Sequence, residues 1–215
     1  MGTYEITEED RQKMFDTFRE ILAKYKFDWN TLRAIMTDTG AVISGSTALA
    51  VLLGGEFVPQ DLDIYVNAKG FIAILGFLTD HGYQVVMPQP HYAHRKDYHP
   101  KNILTLKRDG VEEKIDLIKT EVHVLTAITG FHSTAVMNYI AFYGIVCLYP
   151  KWTMQRSGLV TGRNVPYEIL DKYRRRGFNI AHTLGELAKH DINHDCQCGG
   201  HVCCPSLVIP FDRAM

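Results

Sequence analysis

The stretch that decides the fold is VISGSTALAVLLGGEFVPQDLDIYV, residues 42–66. Its residue types predict four elements in order: a short strand over 41–44, a turn at Gly45 and Ser46, a helix over 47–53, and a second strand that begins at Asp61. In that second strand, apolar residues alternate with polar or aromatic ones in the order Asp-Leu-Asp-Ile-Tyr-Val. Because strand side chains alternate between the two faces of a sheet, Asp61 and Asp63 are expected to share the face opposite the core.

The turn at Gly45 and Ser46 has a pattern that suits an anion. Gly45 has no Cβ, so a ligand can approach its backbone. The first N–H groups of the helix that follows have no partner inside the helix and favour phosphate, to which the Ser46 hydroxyl adds a contact. A purely structural alternative is that Ser46 or Thr47 only caps the helix.

Two aspartates at alternate positions of one strand need an explanation, because strands disfavour this residue type. Neighbouring carboxylates repel each other unless a cation lies between them, and Mg²⁺ suits oxygen ligands while keeping positions open for phosphate. The alternative is an exposed strand face with solvated aspartates. A third carboxylate, Asp116, lies on a strand predicted over 112–119, which an Asp-Gly turn joins to a strand predicted over 102–107. If this strand lies beside the one with Asp61 and Asp63, the three carboxylates converge and can hold two divalent ions.

The composition is that of an ordinary globular chain. Its 215 residues are 46% hydrophobic and 22% charged, enough for one sizeable core or a core with a small second domain. The net charge of −1 supplies no global positive field for nucleic acid, so any such contact needs a local basic patch. No apolar run approaches the roughly 20 residues that span a bilayer, and the N-terminus has no signal-peptide pattern. We expect an intracellular protein, cytoplasmic or nuclear, with no membrane partner.

The rest of the chain predicts helices around the strand-rich centre. A helix over 7–26 begins at Thr7 and places its apolar residues on one face. In the second half, the apolar stretch 134–145 predicts a helix, another helix starts at Pro166, and residues 178–189 are expected to be helical too. The predicted fold class is α/β (α+β), with a small mixed sheet flanked by helices. The predicted units are a core over 1–121, a helical subdomain over 122–189, and a Cys/His-rich tail over 190–215.

Basic residues gather at the end of the helix that starts at Pro166. They are Lys172, Arg174, Arg175 and Arg176. Their cations could neutralise phosphates of a nucleotide or a nucleic acid. A structural alternative is that they interact favourably with the negative end of the helix dipole.

Seven Cys and His residues crowd into residues 190–204 and suggest a metal site. They are His190, His194, Cys196, Cys198, His201, Cys203 and Cys204. Tetrahedral Zn²⁺ takes four ligands, and the spacing fits no common zinc finger, so the choice of four stays open. If zinc binds, we expect a structural role; the alternative is a disordered, reduced tail.

Three motifs in order match a known pattern: Ser44-Gly45-Ser46, Asp61-Leu62-Asp63-Ile64 and Ile115-Asp116-Leu117. Together they resemble the nucleotidyltransferase superfamily, which has the fold of DNA polymerase beta, poly(A) polymerases and CCA-adding enzymes. The match covers about residues 41–120. It departs from the pattern in a slightly long spacing before the aspartates and in a polar residue just before the glycine. The later part of the chain, including FHSTAVMNYIAFYGIVCLYP at residues 131–150, also resembles uncharacterised nucleotidyltransferase-like proteins of fungal genomes.

The resemblance implies the nucleotidyltransferase fold and an enzyme that transfers a nucleoside monophosphate from an NTP to an acceptor hydroxyl, releasing pyrophosphate. It implies that Gly45 and Ser46 bind the β- and γ-phosphates. It also implies that Asp61 and Asp63 hold two Mg²⁺ or Mn²⁺ ions, and that Asp116 binds one metal and activates the hydroxyl. The acceptor stays open among RNA, protein and small molecules. The alternatives are a fold that binds nucleotide without turnover and a zinc-dependent interaction module.

Overall fold

The computed structural model describes residues 6–86, 103–162, 164–188 and 206–211. The helices in these ranges are α1 (Glu8–Lys24), α2 (Trp29–Thr39), α3 (Gly45–Leu52), α4 (Phe71–Asp80), α5 (Val124–Thr129), α6 (Pro150–Met154), α7 (Tyr167–Arg175) and α8 (Leu184–Ala188), with a 3₁₀ helix at Thr134–Val136. The strands are β1 (Val42–Ser44), β2 (Asp61–Asn67), β3 (Gln84–Val86), β4 (Ile103–Lys107), β5 (Lys114–Thr120), β6 (Asn138–Ala141), β7 (Gly144–Cys147), β8 (Ser157–Leu159), β9 (Asn179–Ala181) and β10 (Leu207–Pro210). The predicted α/β class is confirmed.

Eight of the described strands form one mixed sheet in the order β10-β7-β6-β1-β2-β5-β4-β3. β2 and β5 are parallel neighbours, whereas the other pairs in this sheet are antiparallel. A parallel pair needs a crossover, and here α4, β3 and β4 carry the chain back between the two strands. β4 and β5 form the hairpin predicted from the Asp-Gly turn. β8 and β9 pair parallel in a separate two-stranded sheet.

Local sequence signals account for the ends of the first helices. Thr7 Oγ1 accepts a hydrogen bond from Asp10 N at 3.1 Å, and the Asp10 carboxylate accepts one from Thr7 N at 3.3 Å, which makes a capping box at α1. The Asp28 carboxylate caps α2 by accepting from Thr31 N at 2.9 Å. Gly40 ends α2 with φ +67, a left-handed conformation that favours glycine. The helix predicted over 7–26 is therefore confirmed as α1.

The two faces of the sheet carry different residues, as the alternation in β2 predicts. Leu62, Ile64 and Val66 are buried in the main hydrophobic core, together with side chains from α1, α2, α3 and α4. The opposite face has a smaller core, in which Tyr65 packs with Ile118 and with residues of α5. Asp61 and Asp63 lie on this second face, because they alternate with the buried apolar residues.

The helix predicted over 134–145 is wrong. This stretch forms the 3₁₀ helix and β6, followed by β7, and both strands are buried along their whole length. A strand covered on both faces has a continuous apolar sequence, which periodicity alone does not distinguish from a buried helix. β6 pairs with β1, so the second half of the chain extends the central sheet.

Residues 178–189 are only partly helical, which also corrects the prediction. Gly177 adopts φ +82 directly after α7, and the chain then forms β9 before α8 begins. β9 pairs with β8, so its backbone groups bind a strand partner. The predicted boundaries between the three units, at 121/122 and 189/190, stay predictions. None of the helices in the described part of the chain is long and apolar enough to cross a membrane.

The contact between β7 and β10 predicts the effect of a glycine substitution. A Cβ at Gly144 would collide with the carbonyl oxygen of Ile209 and lie 2.9 Å from the Cα of Pro210. Both are backbone atoms that cannot rotate away, so Gly144→Ala should lower the free energy of unfolding by about 1–3 kcal/mol. Gly76→Ala is the matched control, because Gly76 lies in α4 with nothing near its missing Cβ and should gain about 0.5–1 kcal/mol. Urea unfolding checks both values, and equal stability of the two variants would contradict the pairing of β7 with β10.

Candidate active site

Asp61, Asp63 and Asp116 come together on the second face of the sheet. In the parallel pair of β2 and β5, Asp63 lies opposite Asp116 and Asp61 lies opposite Lys114. One carboxylate oxygen from each of the three aspartates lies within 4.8 Å of the other two. The convergence predicted from the sequence is therefore confirmed as geometry. We call these three residues the carboxylate triad.

Asp116 is the most enclosed member of the triad, with 1% of its surface exposed. Thr105 lies opposite it on β4, and Thr105 Oγ1 donates a hydrogen bond to Asp116 Oδ1 at 2.6 Å. Lys114 Nζ donates to Asp116 Oδ2 at 2.7 Å and also lies 3.8 Å from Asp61 Oδ2. Both oxygens of Asp116 are thus held by side chains of the sheet, which fixes the direction of the carboxylate.

The pKa of Asp63 shows the effect of burying a carboxylate beside two others. The pKa of Asp63 is raised to about 8, first by burial and then by repulsion from Asp61 and Asp116. Lys114 and Lys172 oppose this rise. The cations of the chain therefore do not fully compensate the three carboxylates. Three carboxylate oxygens so close together suit a divalent ion such as Mg²⁺, whose charge would offset the repulsion among them.

The junction of β1 and α3, at Ser44 and Gly45, lies directly beside the triad. Ser44 precedes the helix, but its hydroxyl donates to the carbonyl oxygen of Asn138 at 2.6 Å and makes no capping bond. Ser46 Oγ donates to Asp61 Oδ1 at 3.5 Å, and Thr47 Oγ1 donates to the carbonyl oxygen of Asp61 at 2.9 Å. The alternative in which Ser46 or Thr47 only caps the helix is therefore wrong. Both hydroxyls connect the start of α3 to the first aspartate.

Gly45 is required for a reason that the sequence did not reveal. Its φ is +66, and a Cβ at this position would collide with Asp63 Oδ2. The Asp63 carboxylate therefore occupies the space beside Gly45. From the sequence, a ligand was expected to approach the backbone there. A single residue without a side chain lets the turn and the triad pack against each other.

The triad opens into a cleft of about 480 Å³ between the sheet and α7. Gly45, Ser46 and the triad form its polar side. Its other walls include Tyr65 and Phe131, whose rings meet edge to face at 5.7 Å, and Tyr173 of α7. These aromatic residues were not predicted as site residues, and for Phe131 and Tyr173 the reason is that the segment after residue 121 was interpreted as a separate helical unit.

Of the four basic residues predicted on α7, Lys172 lines the cleft. The pKa of Lys172 is lowered by partial burial and by Arg176, while Asp61 and Asp63 oppose that shift.

The three arginines that follow Lys172 do not line the cleft. Arg174 lies over the ring of Tyr167, Arg175 pairs with Asp171 at 2.7 Å, and Arg176 lies 3.9 Å from the ring centre of Phe57. Their proposed contact with phosphates stays a prediction.

Two further residues of the site were missed and one predicted cluster cannot be placed. Lys114 and Thr105 contact Asp116, and the register of the hairpin, counted from its Asp-Gly turn, is the signal that could have found Thr105. The seven Cys and His residues of 190–204 lie outside the described residues, so the zinc site stays a prediction.

The comparisons with known proteins agree with this architecture. No protein-family model and no curated protein sequence matches the chain. Among solved structures, an apo form of a CCA-adding enzyme is similar to the chain with a TM-score of 0.53 and 15% identity, over 80% of this chain and 44% of that one. The Thermotoga maritima CCA-adding enzyme complexed with tRNA has a TM-score of 0.49 and 16% identity, over 70% of this chain and 37% of that one. The chain thus spans less than half the length of these enzymes, and it shares the fold of the first.

Gly45→Ala should separate the cost of a positive φ from the cost of a collision with Asp63. Gly110 has a similar φ of +73 but nothing near its missing Cβ, so Gly110→Ala carries the first cost alone. We expect Gly45→Ala to lose about 1–3 kcal/mol more than Gly110→Ala, because the Asp63 carboxylate must move. Urea unfolding of the metal-free variants measures the difference. Equal losses would show that Asp63 does not occupy the space beside Gly45.

Asp63→Asn should stabilise the metal-free protein in a pH-dependent way. The pKa of Asp63 is about 8 in the fold, above its ordinary value, so the folded state binds the proton more tightly than the unfolded state. Wild-type stability is then favoured at low pH and is lost as pH rises from about 4 to about 8, whereas the amide does not titrate. Each unit of pKa difference contributes about 1.4 kcal/mol, or roughly 3–6 °C in Tm for a chain of this size.

Thermal unfolding in EDTA at pH 5 and pH 8 provides the measurement. The gap between Asp63→Asn and wild type should widen at the higher pH, while Asp38→Asn, on an exposed position of α2, should show no such trend. A constant gap would mean that Asp63 ionises normally.

Proposed function

We propose that the protein is a metal-dependent nucleotidyltransferase of the superfamily that includes the CCA-adding enzymes. It would transfer a nucleoside monophosphate from an NTP to an acceptor hydroxyl and release pyrophosphate. The single observation that carries the proposal is the carboxylate triad, whose oxygens lie within 4.8 Å of one another directly beside the turn at Gly45 and Ser46. The shared fold with a CCA-adding enzyme supports it.

The three carboxylates fit Mg²⁺ or Mn²⁺ in number, chemistry and spacing. Asp61 and Asp63 would hold the metal ions, and Asp116 would supply a further ligand. When bound, such ions neutralise the charge on the phosphates of the NTP and on the attacking oxygen. The raised pKa of Asp63 is consistent with this role, because a bound cation would stabilise the ionised carboxylate against both the burial and the repulsion that raise it.

The acceptor hydroxyl would be oriented and deprotonated at Asp116. In the metal-bound protein this carboxylate would keep its direction through Thr105, whose Oγ1 donates to Asp116 Oδ1 at 2.6 Å. Asp116 would accept the proton from a fixed position beside Asp61 and Asp63. This position favours one direction of attack by the acceptor oxygen on the phosphate of the NTP. The role proposed for Thr105 is therefore to position Asp116.

The triphosphate would lie between the start of α3 and α7. Gly45 and Ser46 would bind the β- and γ-phosphates, where the N-terminal end of α3 favours negative charge. Lys172, which lines the opposite wall of the cleft, would neutralise the leaving pyrophosphate. Arg174, Arg175 and Arg176 would contribute only if they leave the contacts described above.

The cleft does not select one acceptor, and RNA, a protein side chain and a small molecule all present a hydroxyl. We propose an intracellular protein, cytoplasmic or nuclear. We also retain the proposal of a structural Zn²⁺ held by four of the Cys and His residues in 190–204.

The test is turnover of each labelled NTP with Mg²⁺ or Mn²⁺, with and without total RNA, followed by analysis of the products. Wild type should release pyrophosphate, and Asp61→Ala/Asp63→Ala should lose at least about 100-fold of that rate, because both carboxylates serve the same ions. Asp38→Ala, which removes an exposed carboxylate far along α2, should match wild type. Equal rates for the double variant and wild type would contradict the mechanism.

A second outcome distinguishes an enzyme from a binding module on the same fold. Metal-dependent NTP binding without product from any acceptor would favour a protein that binds nucleotide without turnover. Absence of metal-dependent NTP binding by wild type would contradict both proposals.

A further inference from the structure

Lys114 is the first residue of β5, and its ammonium contacts two carboxylates of the triad. It shares a sheet face with Asp116, two residues along the same strand. Its ammonium lies 2.7 Å from Asp116 Oδ2 and 3.8 Å from Asp61 Oδ2. The side chain is 30% exposed, so part of it stays in contact with solvent while the ammonium contacts the carboxylates.

Lys114 places a positive charge beside a buried carboxylate. Asp116 is almost fully buried, and a buried carboxylate beside two others is unstable without a cation. Lys114 provides that cation in the metal-free protein. The ammonium contacts two of the three carboxylates that a divalent ion at the triad needs, so lysine and metal compete for the same oxygens.

We propose that Lys114 is a built-in counter-ion of the triad, which occupies Asp61 and Asp116 when no metal is bound and withdraws when a divalent ion binds. The proposal rests on the metal site of the proposed function. It assigns Lys114 a positioning role: the residue keeps the triad assembled before the metal arrives. It also makes Lys114 a determinant of metal affinity, since each binding event must displace the ammonium.

Lys119 supplies an internal comparison on the same strand. It lies on the opposite face of β5, with its ammonium 5.6 Å from the ring centre of Phe71. Lys119→Met therefore removes the same charge from the same strand without touching the triad. Lys114→Met removes the counter-ion and keeps a side chain of similar length. Lys114→Arg keeps the positive charge at the triad.

The first measurement is Mn²⁺ binding by calorimetry and metal-free stability in EDTA. Lys114→Met should bind Mn²⁺ about fivefold more tightly than wild type, because the partly buried ion pair between Lys114 and Asp116 no longer has to break. It should also unfold at a lower temperature than wild type without metal. Lys114→Arg should restore affinity and metal-free stability toward wild type, and Lys119→Met should leave Mn²⁺ affinity unchanged.

The second measurement follows the displacement of the lysine itself. Acetylation of lysines by a soluble N-hydroxysuccinimide ester, read by mass spectrometry, reports how accessible each amine is. In wild type, saturating Mg²⁺ should increase the acetylation rate of Lys114 several-fold, because the ammonium leaves its carboxylate partners. The rate at Lys119 should not change.

The outcomes separate this inference from the proposed function. If wild type binds Mn²⁺ but Lys114→Met binds it no more tightly, and Lys114 labelling is insensitive to metal, the counter-ion proposal is overturned while the metal site stands. If Lys114→Met binds Mn²⁺ and wild type does not, the counter-ion proposal is supported, while the metal-dependent function of the wild-type protein is contradicted. If neither protein binds Mn²⁺, both proposals are overturned.

Discussion

The parallel pairing of β2 with β5 is the constraint on which the rest of the structure depends. Its register places Asp63 opposite Asp116, and the next strand, β4, places Thr105 opposite Asp116 on the other side. A shift of one residue would turn Asp116 into the apolar core and bring Ile115 or Leu117 into the cleft. The alternation of apolar residues in both strands prevents that shift, since it would bury charge and expose hydrocarbon. The register of the core thereby determines the geometry of the site.

The site is assembled at a cost to stability that the surrounding residues offset. Three carboxylates repel one another on the central strands β2 and β5, and this repulsion adds to the effect of burial in raising the pKa of Asp63. The left-handed conformation of Gly45 lets the turn approach Asp63, while Lys114 and Thr105 hold Asp116. Strain and uncompensated charge of this kind are concentrated where a protein binds ligands, because the ligand supplies the missing partner. Here the missing partner has the chemistry of a divalent cation.

Much of the central fold was predictable from the sequence, because it depends on local signals. The alternation in β2 and the Asp-Gly hairpin each rest on a few neighbouring residues, and the structure confirms both. The turn predicted at Gly45 and Ser46 is instead the start of α3, which follows β1 directly. The sequence left it as a condition that the strand of Asp116 lies beside the strand of Asp61 and Asp63, and the pairing of β2 with β5 confirms it. The prediction was wrong for 134–145, where β6 and β7 are buried on both faces and lack an alternating pattern. The contribution of this segment to the sheet depends on pairing with β1, far away in the chain.

The site was predictable in its residue types and less so in its contacts. The aspartates stood out because strands disfavour them, whereas Thr105 and Lys114 are ordinary in strands and gain their meaning only from register. The aromatic wall formed by Phe131 and Tyr173 depends on α7 folding back over the sheet, which no local pattern encodes. Long-range packing of this kind is decided by the summed burial of many side chains rather than by one motif.

The most direct test of the central claim is a crystal structure of the protein with Mn²⁺ and a non-hydrolysable NTP analogue, recorded with anomalous scattering from manganese. We expect an anomalous peak within coordination distance of Asp61, Asp63 and Asp116, with the phosphates beside Gly45 and Ser46. A nucleotide bound elsewhere, or a triad without manganese at saturating concentration, would contradict it.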